Sequence, residues 1–374
     1  MKIQVQQPDL VRALGAVANV VSSKTTLPIL STILFDATKS GLTLAATDLD
    51  VSVVTKVGEV EVEKDGKAAI PASKFVAFAR TLGADPVVIK ASGEKVAVTC
   101  GRARLEEPCM APEDFPSLPS FGEMASIEVP GEILTTMIRT TIYAISRDET
   151  RPALQGVHWE LEPDAITMVA TDGHRLSRVR REVGTGLPET RKLIASSAGL
   201  QQVLRLTEGV ETVRIHLGEN QLSFELGDTV VHTRLVEGMF PNYEQVIPKG
   251  NERLVTCDRQ TLADRIRRVK ISADRVTNQV RFELEPGTLN LSASGTEGSR
   301  AEDQLQVEYD GEPLIIGFNH NYVEDVLKHM AAENVQIALD RPDTAAIVVP
   351  ADPPAAKASD SDDLCLLMPL RLND

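Results

Sequence analysis

The chain predicts an α+β fold built from three similar units. Three observations carry that expectation: a hairpin pattern that recurs at a long fixed period, one order of helices and strands around each recurrence, and a length that suits three domains. Its 374 residues correspond to two or three domains at roughly 150 residues each. The recurrence selects three. Thr47-Asp48, Thr171-Asp172 and Thr296-Glu297 stand 124 and 125 residues apart, each at the end of an alternating strand. One solenoid turn takes roughly 20 to 50 residues, so a period this long describes a domain with its own core. The expected domains are 1–123, 126–249 and 252–374. Their boundaries lie near Phe121–Ala125 and Lys249–Glu252, where Gly, Pro, Asn and charged residues interrupt the periodicity.

Met1-Lys2-Ile3-Gln4-Val5 opens directly in strand-like alternation rather than with a charged and then apolar leader. An apolar-periodic helix opens each unit, through Leu10, Leu14, Val17 and Val21, then Leu134, Met137, Ile138 and Thr141, then Leu262, Ile266 and Val269. The hairpin follows. Ile33 and Phe35 precede the turn Thr38-Lys39-Ser40-Gly41, with Leu42 and Leu44 after it. In the second unit Val157 and Trp159 lead through Glu162-Pro163-Asp164 to Ile166 and Met168, and in the third Val280 and Phe282 lead through Glu285-Pro286-Gly287 to Leu289 and Leu291. Period-two burial is thus repeated with different residues filling it. A second helix comes next in each unit, over Phe75–Leu82, Leu200–Leu206 and Tyr322–Met330, with Ser73, Ser196, Ser197 and Asn319 as N-cap candidates. Further strands run to Phe115-Pro116 and Phe240-Pro241, again about one period apart.

Cys100, Cys109, Cys257 and Cys365 show no C-x-x-C spacing, which speaks against a disulfide scaffold or a structural zinc site and for reduced core thiols. No run of about 18 apolar residues occurs, so a soluble, cytoplasmic protein without a membrane partner is expected. A net charge of −15 by itself disfavours a nucleic-acid partner. The distribution of charge points the other way. Arg259 to Lys270 carries five basic residues against one acid, with Arg267 and Arg268 off the Leu262/Ile266/Val269 face. The other first helices bring Arg12 with Lys24 beyond it, and Arg139 with Arg147 and Arg151 beyond it; the second helices add Lys74, Arg80, Arg205 and Lys328. One charged helix face is ordinarily only solvated. Six helices sharing the bias in an acidic protein balance that reading with another, a positive stripe that follows phosphates without reading bases.

Ala170-Thr171-Asp172-Gly173-His174-Arg175-Leu176 is the most suggestive local motif. As chemistry, Asp172 and His174 would be an acid/base pair with Arg175 holding an anion. Thr followed by an acid recurs in all three units, however, which favours a turn or pocket wall over a catalytic dyad. No G-x-S-x-G, H-E-x-x-H or phosphate-cradling glycine loop occurs, and no catalytic residue, metal or cofactor is expected. At the far end Leu364 to Leu367 reads as a last strand after an acidic, flexible stretch from Pro353 to Asp363. Pro369 should end its pairing, leaving Met368 and Leu370 as adaptable apolar side chains suited to a peptide groove.

Six separated segments resemble one family across the whole chain. Thr26-Leu27-Pro28-Ile29-Leu30, Thr47-Asp48-Leu49-Asp50, Ala170–Leu176, Phe240-Pro241-Asn242-Tyr243, Gly317-Phe318-Asn319 with Tyr322, and Met368-Pro369-Leu370-Arg371-Leu372 look like the beta subunit of bacterial DNA polymerase III, the sliding clamp. The resemblance implies three domains of the DNA-clamp fold in a head-to-tail homodimeric ring, helices inside and sheets outside. Such a ring encircles duplex DNA as a non-catalytic processivity factor of replication. It would belong to a holoenzyme with an associated 3'-5' exonuclease, and would tether polymerases and the clamp loader through short peptide motifs. The resemblance places the peptide groove at Leu154, Thr171, Gly173, His174, Arg175, Leu176, Pro241, Val246, Asn319, Tyr322, Leu366, Met368, Pro369, Leu370 and Arg371, with His174 and Arg175 as polar rim contacts. It implies DNA contacts at Lys24, Arg147, Arg151, Arg267 and Arg268, and a subunit interface at Lys74, Arg102, Arg104 and Leu105, the arginines on a strand Val96–Leu105, facing Ile271, Glu297 and Glu302. Head-to-tail closure would pair strand edges otherwise open to aggregation.

Three stretches depart from the family pattern: Ala351 to Asp363 is longer, Asn373-Asp374 extends past Leu372, and Ile194-Ala195-Ser196-Ser197 lacks the basic residues often present there. Two other classes compete with the clamp: an enzyme centred on Asp172 and His174, and an adaptor of three repeats that does not bind DNA.

Overall fold

The computed structural model describes residues 1–22, 25–121, 124–295, 298–352 and 357–372. Lys24, Thr296, Glu297, Pro353, Pro354, Asn373 and Asp374 lie outside them. Six α-helices occur among the described residues: α1 (Gln7–Val17), α2 (Ala72–Thr81), α3 (Gly131–Ile142), α4 (Ser197–Leu206), α5 (Arg259–Val269) and α6 (His320–His329). Each apolar stripe is buried as its spacing requires: Leu10, Leu14 and Val17; Leu134, Met137, Ile138 and Thr141; Leu262, Ile266 and Val269. Val21 is the exception, lying beyond the end of α1.

Two compact units form, 1–135 with 195–235 and 136–194 with 236–374. The first contains a five-stranded and an eight-stranded sheet. In the larger, the hairpin of Thr32–Thr38 and Gly41–Thr47 continues through Val51–Lys56 to Thr229–Arg234, a strand nearly one and a half periods further along the chain. The edge Phe35–Phe75 contact, 5.2 Å between ring centroids, fastens α2 to that hairpin. The second unit repeats the plan with an eight-stranded and a four-stranded sheet. Its hairpin Gly156–Leu161 and Ala165–Thr171 leads to Arg175–Glu182, which pairs in turn with the final strand Asp363–Leu367. The register sets Leu176 against Leu366 and Arg175 against Leu367. A fork from Arg181 to Asp363 reinforces the junction, with Nη2 donating to Oδ2 at 2.9 Å. Each large sheet therefore joins strands from two successive repeats. Buried clusters lie within the first repeat around Ile29, Leu34 and Phe115 and within the third around Leu262, Phe282 and Ile316, and one around Val169, Leu176, Ile347 and Leu366 draws on two. The lone hairpin is too small to cover its own apolar face, so extending the sheet across the repeat boundary buries more.

Helix capping differs from the expected pattern. Asn319 does cap α6, its Oδ1 accepting from Asn321 N at 3.0 Å, and Asp258 caps α5 by accepting from Thr261 N at 2.6 Å. Ser196 precedes α4 without a side-chain cap, Ser197 and Ser73 lie inside their helices, and Pro71 precedes α2. The stretch Val96–Leu105 is also not one strand: Lys95–Cys100 and Ala103–Pro108 form a hairpin turning at Gly101, whose φ of 55° suits glycine.

Candidate functional site

The Thr-Asp pair builds the same turn twice. Thr171 Oγ1 donates to Arg175 O at 2.6 Å and accepts from Gly173 N at 3.1 Å, while Asp172 Oδ1 accepts from His174 N and Arg175 N at 2.9 and 3.0 Å. In the first repeat Thr47 Oγ1 donates to Val51 O at 3.0 Å and accepts from Leu49 N at 3.0 Å, and Asp48 Oδ1 accepts from Asp50 N and Val51 N at 3.0 and 2.7 Å. Asp172 is committed to backbone amides and to Arg175, so the Asp172/His174 pair is a turn and not an acid/base dyad. The third residue of the turn is left-handed in both copies, Gly173 at φ 90° and Leu49 at 82°. A Cβ at Gly173 would meet only Arg151 Nη1, the end of a flexible side chain, at 3.2 Å, so the left-handed φ and not the space is what favours glycine there.

Around this turn the second unit gathers four more segments. The 3-10 turn Pro152–Leu154 leads into the hairpin, and Ala153 approaches within 3.5 Å of the Cβ position of Gly238. The loop from Phe240 ends in the 3-10 turn Tyr243–Val246 and packs Phe240, Tyr243 and Ile247 into one cluster with Leu176 and Leu366. α6 brings Tyr322 beside His174, with ring centroids 6.3 Å apart and planes 15° off parallel. The tail completes the set: Met368 N donates to His174 O at 2.9 Å, and Leu370 N donates to Gly317 O at 2.8 Å. Pro369 thus interrupts pairing for one residue rather than ending it, because the chain crosses to the strand Leu314–Asn319 and resumes there.

These segments separate the expected groove residues by role. Leu154, Leu176 and Leu366 are buried, while Val246 and Met368 are 55% and 42% exposed and Gly173, His174 and Pro241 are exposed. The Asn319 amide oxygen is occupied as the cap of α6. Arg175 is not a rim contact, since its side chain is only 10% exposed and is bonded to Asp172, Asp325 and Tyr143. Arg371 is exposed, and its carbonyl accepts from Gln279.

Sequence reasoning missed the polar cluster under the loop. His158 stacks on Phe240 at 4.7 Å, and Glu160 bonds His158 at 3.2 Å, Lys192 at 2.8 Å and the Tyr243 hydroxyl at 3.4 Å. The hydrogen bond from His158 and then the Lys192 ammonium hold the Glu160 carboxyl down at about 2, against an opposing contribution from burial. Burial pushes the Tyr243 hydroxyl well up, so it remains a donor. The outward position of Glu160 on an alternating strand was the one available signal, and it does not name the loop it binds.

The helix cations divide into two kinds. Arg205 donates to Gly15 O and Ala16 O at 2.8 and 2.6 Å, and Arg259 donates to Leu327 O and Ala332 O at 2.8 and 2.6 Å. Both satisfy carbonyls at helix C-terminal ends and are not free phosphate contacts. Lys270 is tied to Glu324 at 2.7 Å, and Arg12 to Asp9 at 2.7 Å. Arg267 and Arg268 remain 57% and 61% exposed, with single partners in Asp264 and Asp303 at 2.8 and 3.1 Å. Arg147 is exposed, and Arg151, 45% exposed, pairs with Asp148.

Two strands carry the expected interface residues, and both are sheet edges among the described residues. Ala103–Pro108, with Arg104 and Leu105, ends the five-stranded sheet, and Arg300–Gln306, with Glu302, ends the four-stranded one. Arg102 is exposed in the turn before the first edge, and Lys74 reaches Glu107 at 3.2 Å. Arg104 pairs with Glu106, and Glu302 with Arg300. Ile271, just after α5, is 84% exposed.

Family profiles match in succession along the chain: the DNA polymerase III beta subunit N-terminal domain over residues 1–119, its central domain over 128–242 and its C-terminal domain over 244–359. The beta sliding clamp of Pseudomonas aeruginosa is 31% identical over 374 residues, covering 100% of both chains. That of Escherichia coli K12 is 30% identical over 342 residues, 91% of this chain and 93% of the relative. The crystal structure of the P. aeruginosa DNA polymerase III subunit beta superposes with a TM-score of 0.94 at 31% identity, again over 100% of both chains. A Caulobacter crescentus pol III beta structure gives 0.90 at 31% identity over 100% of both chains. Among the described residues no helix is long and apolar enough to cross a membrane. With three successive profiles, full-length relatives and the three-domain clamp fold in agreement, the chain belongs to the DNA polymerase III beta subunit family, the beta sliding clamps, non-catalytic processivity factors of DNA replication.

Proposed function

We propose that the chain acts in the cytoplasm as a head-to-tail homodimeric ring of domains 1–123, 126–249 and 252–374, threaded by duplex DNA and recruiting polymerases and the clamp loader through the groove beside Gly173 and His174. The groove rests chiefly on one observation: the tail is pinned on both sides of Pro369, yet Met368 stays 42% exposed next to an exposed His174. An apolar side chain held open on a rigid support suits the aliphatic or aromatic anchors of a partner peptide. Related clamps from P. aeruginosa and Bartonella birtlesii have been solved bound to griselimycin, and one from C. crescentus with polyethylene glycol at the region named for β-motif tethering.

Lys24, Arg147, Arg151, Arg267 and Arg268 would meet phosphates without reading bases. Weak contacts of that kind permit sliding, because the topological link supplies the retention that tight binding would otherwise provide. The edge carrying Lys74, Arg102, Arg104 and Leu105 would join a second subunit at Ile271, Glu297 and Glu302, removing two exposed strand edges. Protein loaded on a nicked circle is expected to stay bound through gel filtration and to run off once the circle is linearised. Equal retention on circle and linear DNA would overturn the ring.

A further inference from the structure

We infer that Asp325 of α6 is a positioning residue of the groove: it holds Arg175, and through Arg175 the turn from Thr171 to Leu176, in the shape that a partner peptide meets. The inference rests on the groove reading above for its functional consequence, but the geometry stands on its own. Each nitrogen of the Arg175 guanidinium has one acceptor: Nε donates to Asp172 Oδ2 at 3.2 Å, Nη1 to Asp325 Oδ2 at 2.5 Å and Nη2 to Tyr143 O at 2.6 Å. Its central carbon lies 4.7 Å from the Tyr322 ring centroid and 5.4 Å from that of Tyr143. A planar fork bound at every nitrogen and lying over two rings has one orientation.

The consequences run outward from that fork through the backbone. Arg175 N and O are both bonded within the turn, and the adjacent His174 O accepts from Met368 N. A shift of Arg175 therefore displaces His174 and the tail residue that opens the groove. Asp172 cannot orient the guanidinium alone, because it belongs to the same turn and moves with it. Asp325 and Tyr143 come from other elements and supply the fixed reference. Tyr322 and Asp325 stand three residues apart on α6, so one helix face presents both a ring and a carboxylate to Arg175. Tyr143 is itself held, stacked on His329 at 4.5 Å with its hydroxyl 3.2 Å from Cys365 Sγ. Burial keeps that hydroxyl protonated.

Asp325 is 40% exposed, so a direct ion pair with a basic peptide residue is the competing role. A double-mutant cycle on the full-length protein separates the two, using fluorescence anisotropy with a polymerase-derived peptide that carries aliphatic and aromatic anchors. Asp325→Ala should weaken binding about tenfold, because the shape of the turn that the peptide meets becomes a minority state of the free protein. Asp325→Glu should restore much of the loss, and the Ala change should cost little further in an Arg175→Ala background. A loss that persists undiminished in that background would make Asp325 a peptide contact and overturn the inference. Hydrogen exchange without peptide gives a second readout: the amides of Gly173, His174 and Arg175 should exchange faster in Asp325→Ala and in the isosteric Asp325→Asn. Unchanged exchange would also overturn it. If the wild-type protein bound no such peptide, the groove reading would fail, while the exchange result would still decide whether Asp325 sets the turn.

Discussion

Leu49 and Gly173 occupy the same position of the same turn, and only one of them is a residue for which a left-handed backbone is unstrained. A side chain with φ near 82° crowds its own carbonyl, at roughly 1–2 kcal/mol. Leu49 is 44% exposed, so truncation also gives up the burial of more than half the side chain. Strain relief and that loss largely offset, so Leu49→Gly should leave the urea midpoint nearly unchanged at unchanged m-value; a large drop would show that the Leu49 side chain holds the turn. At the surface, Arg267 and Arg268 keep more than half their area in solvent despite Asp264 and Asp303. Replacing both with Ala should weaken residual DNA binding and flatten its dependence on log salt by up to about 0.9 for each phosphate no longer neutralised. An unchanged slope in a normally folded variant would place them away from the DNA. That these two face outward was legible from helical spacing alone. That Arg205 and Arg259 do not act likewise was illegible, because their acceptors lie 190 and 68 residues away for the first bond of each.

Among the elements, the final strand has two separable jobs. Asp363–Leu367 extends an eight-stranded sheet and is buried from Leu364 to Leu367, whereas Met368 and Leu370 are held by single backbone bonds to His174 and Gly317 beside the proposed groove. Deleting Met368 to Asp374 should abolish binding of polymerase-derived peptides by calorimetry while the dimer persists in sedimentation velocity. Undiminished peptide affinity in the truncated protein would show that the site lies elsewhere. The strand itself was legible from its apolar run, as were all three hairpins from their alternation. Its continuation past Pro369 was not, since the acceptor for Leu370 N is Gly317 O, a carbonyl no local pattern identifies.

For the molecule as a whole, the proposed ring can be tested at Ile271. Ile271, 84% exposed at the end of a helix, would be covered in the proposed ring. Ile271→Asp should shift the protein to monomer in sedimentation velocity without changing its far-UV circular dichroism, and an intact dimer would move the interface elsewhere. By itself the sequence determined the repeat, the faces of the helices, the hairpins and the Thr-Asp turn, because each depends on residues within a few positions of one another or on a pattern the chain states three times. Tertiary structure alone decided which strands join across repeats, which arginines are consumed by helix ends, and that Arg175 is a buried brace rather than a rim contact. Those outcomes depend on burial and on the need of each buried donor and acceptor for a partner, and the partner is chosen by where the folded chain brings distant segments together.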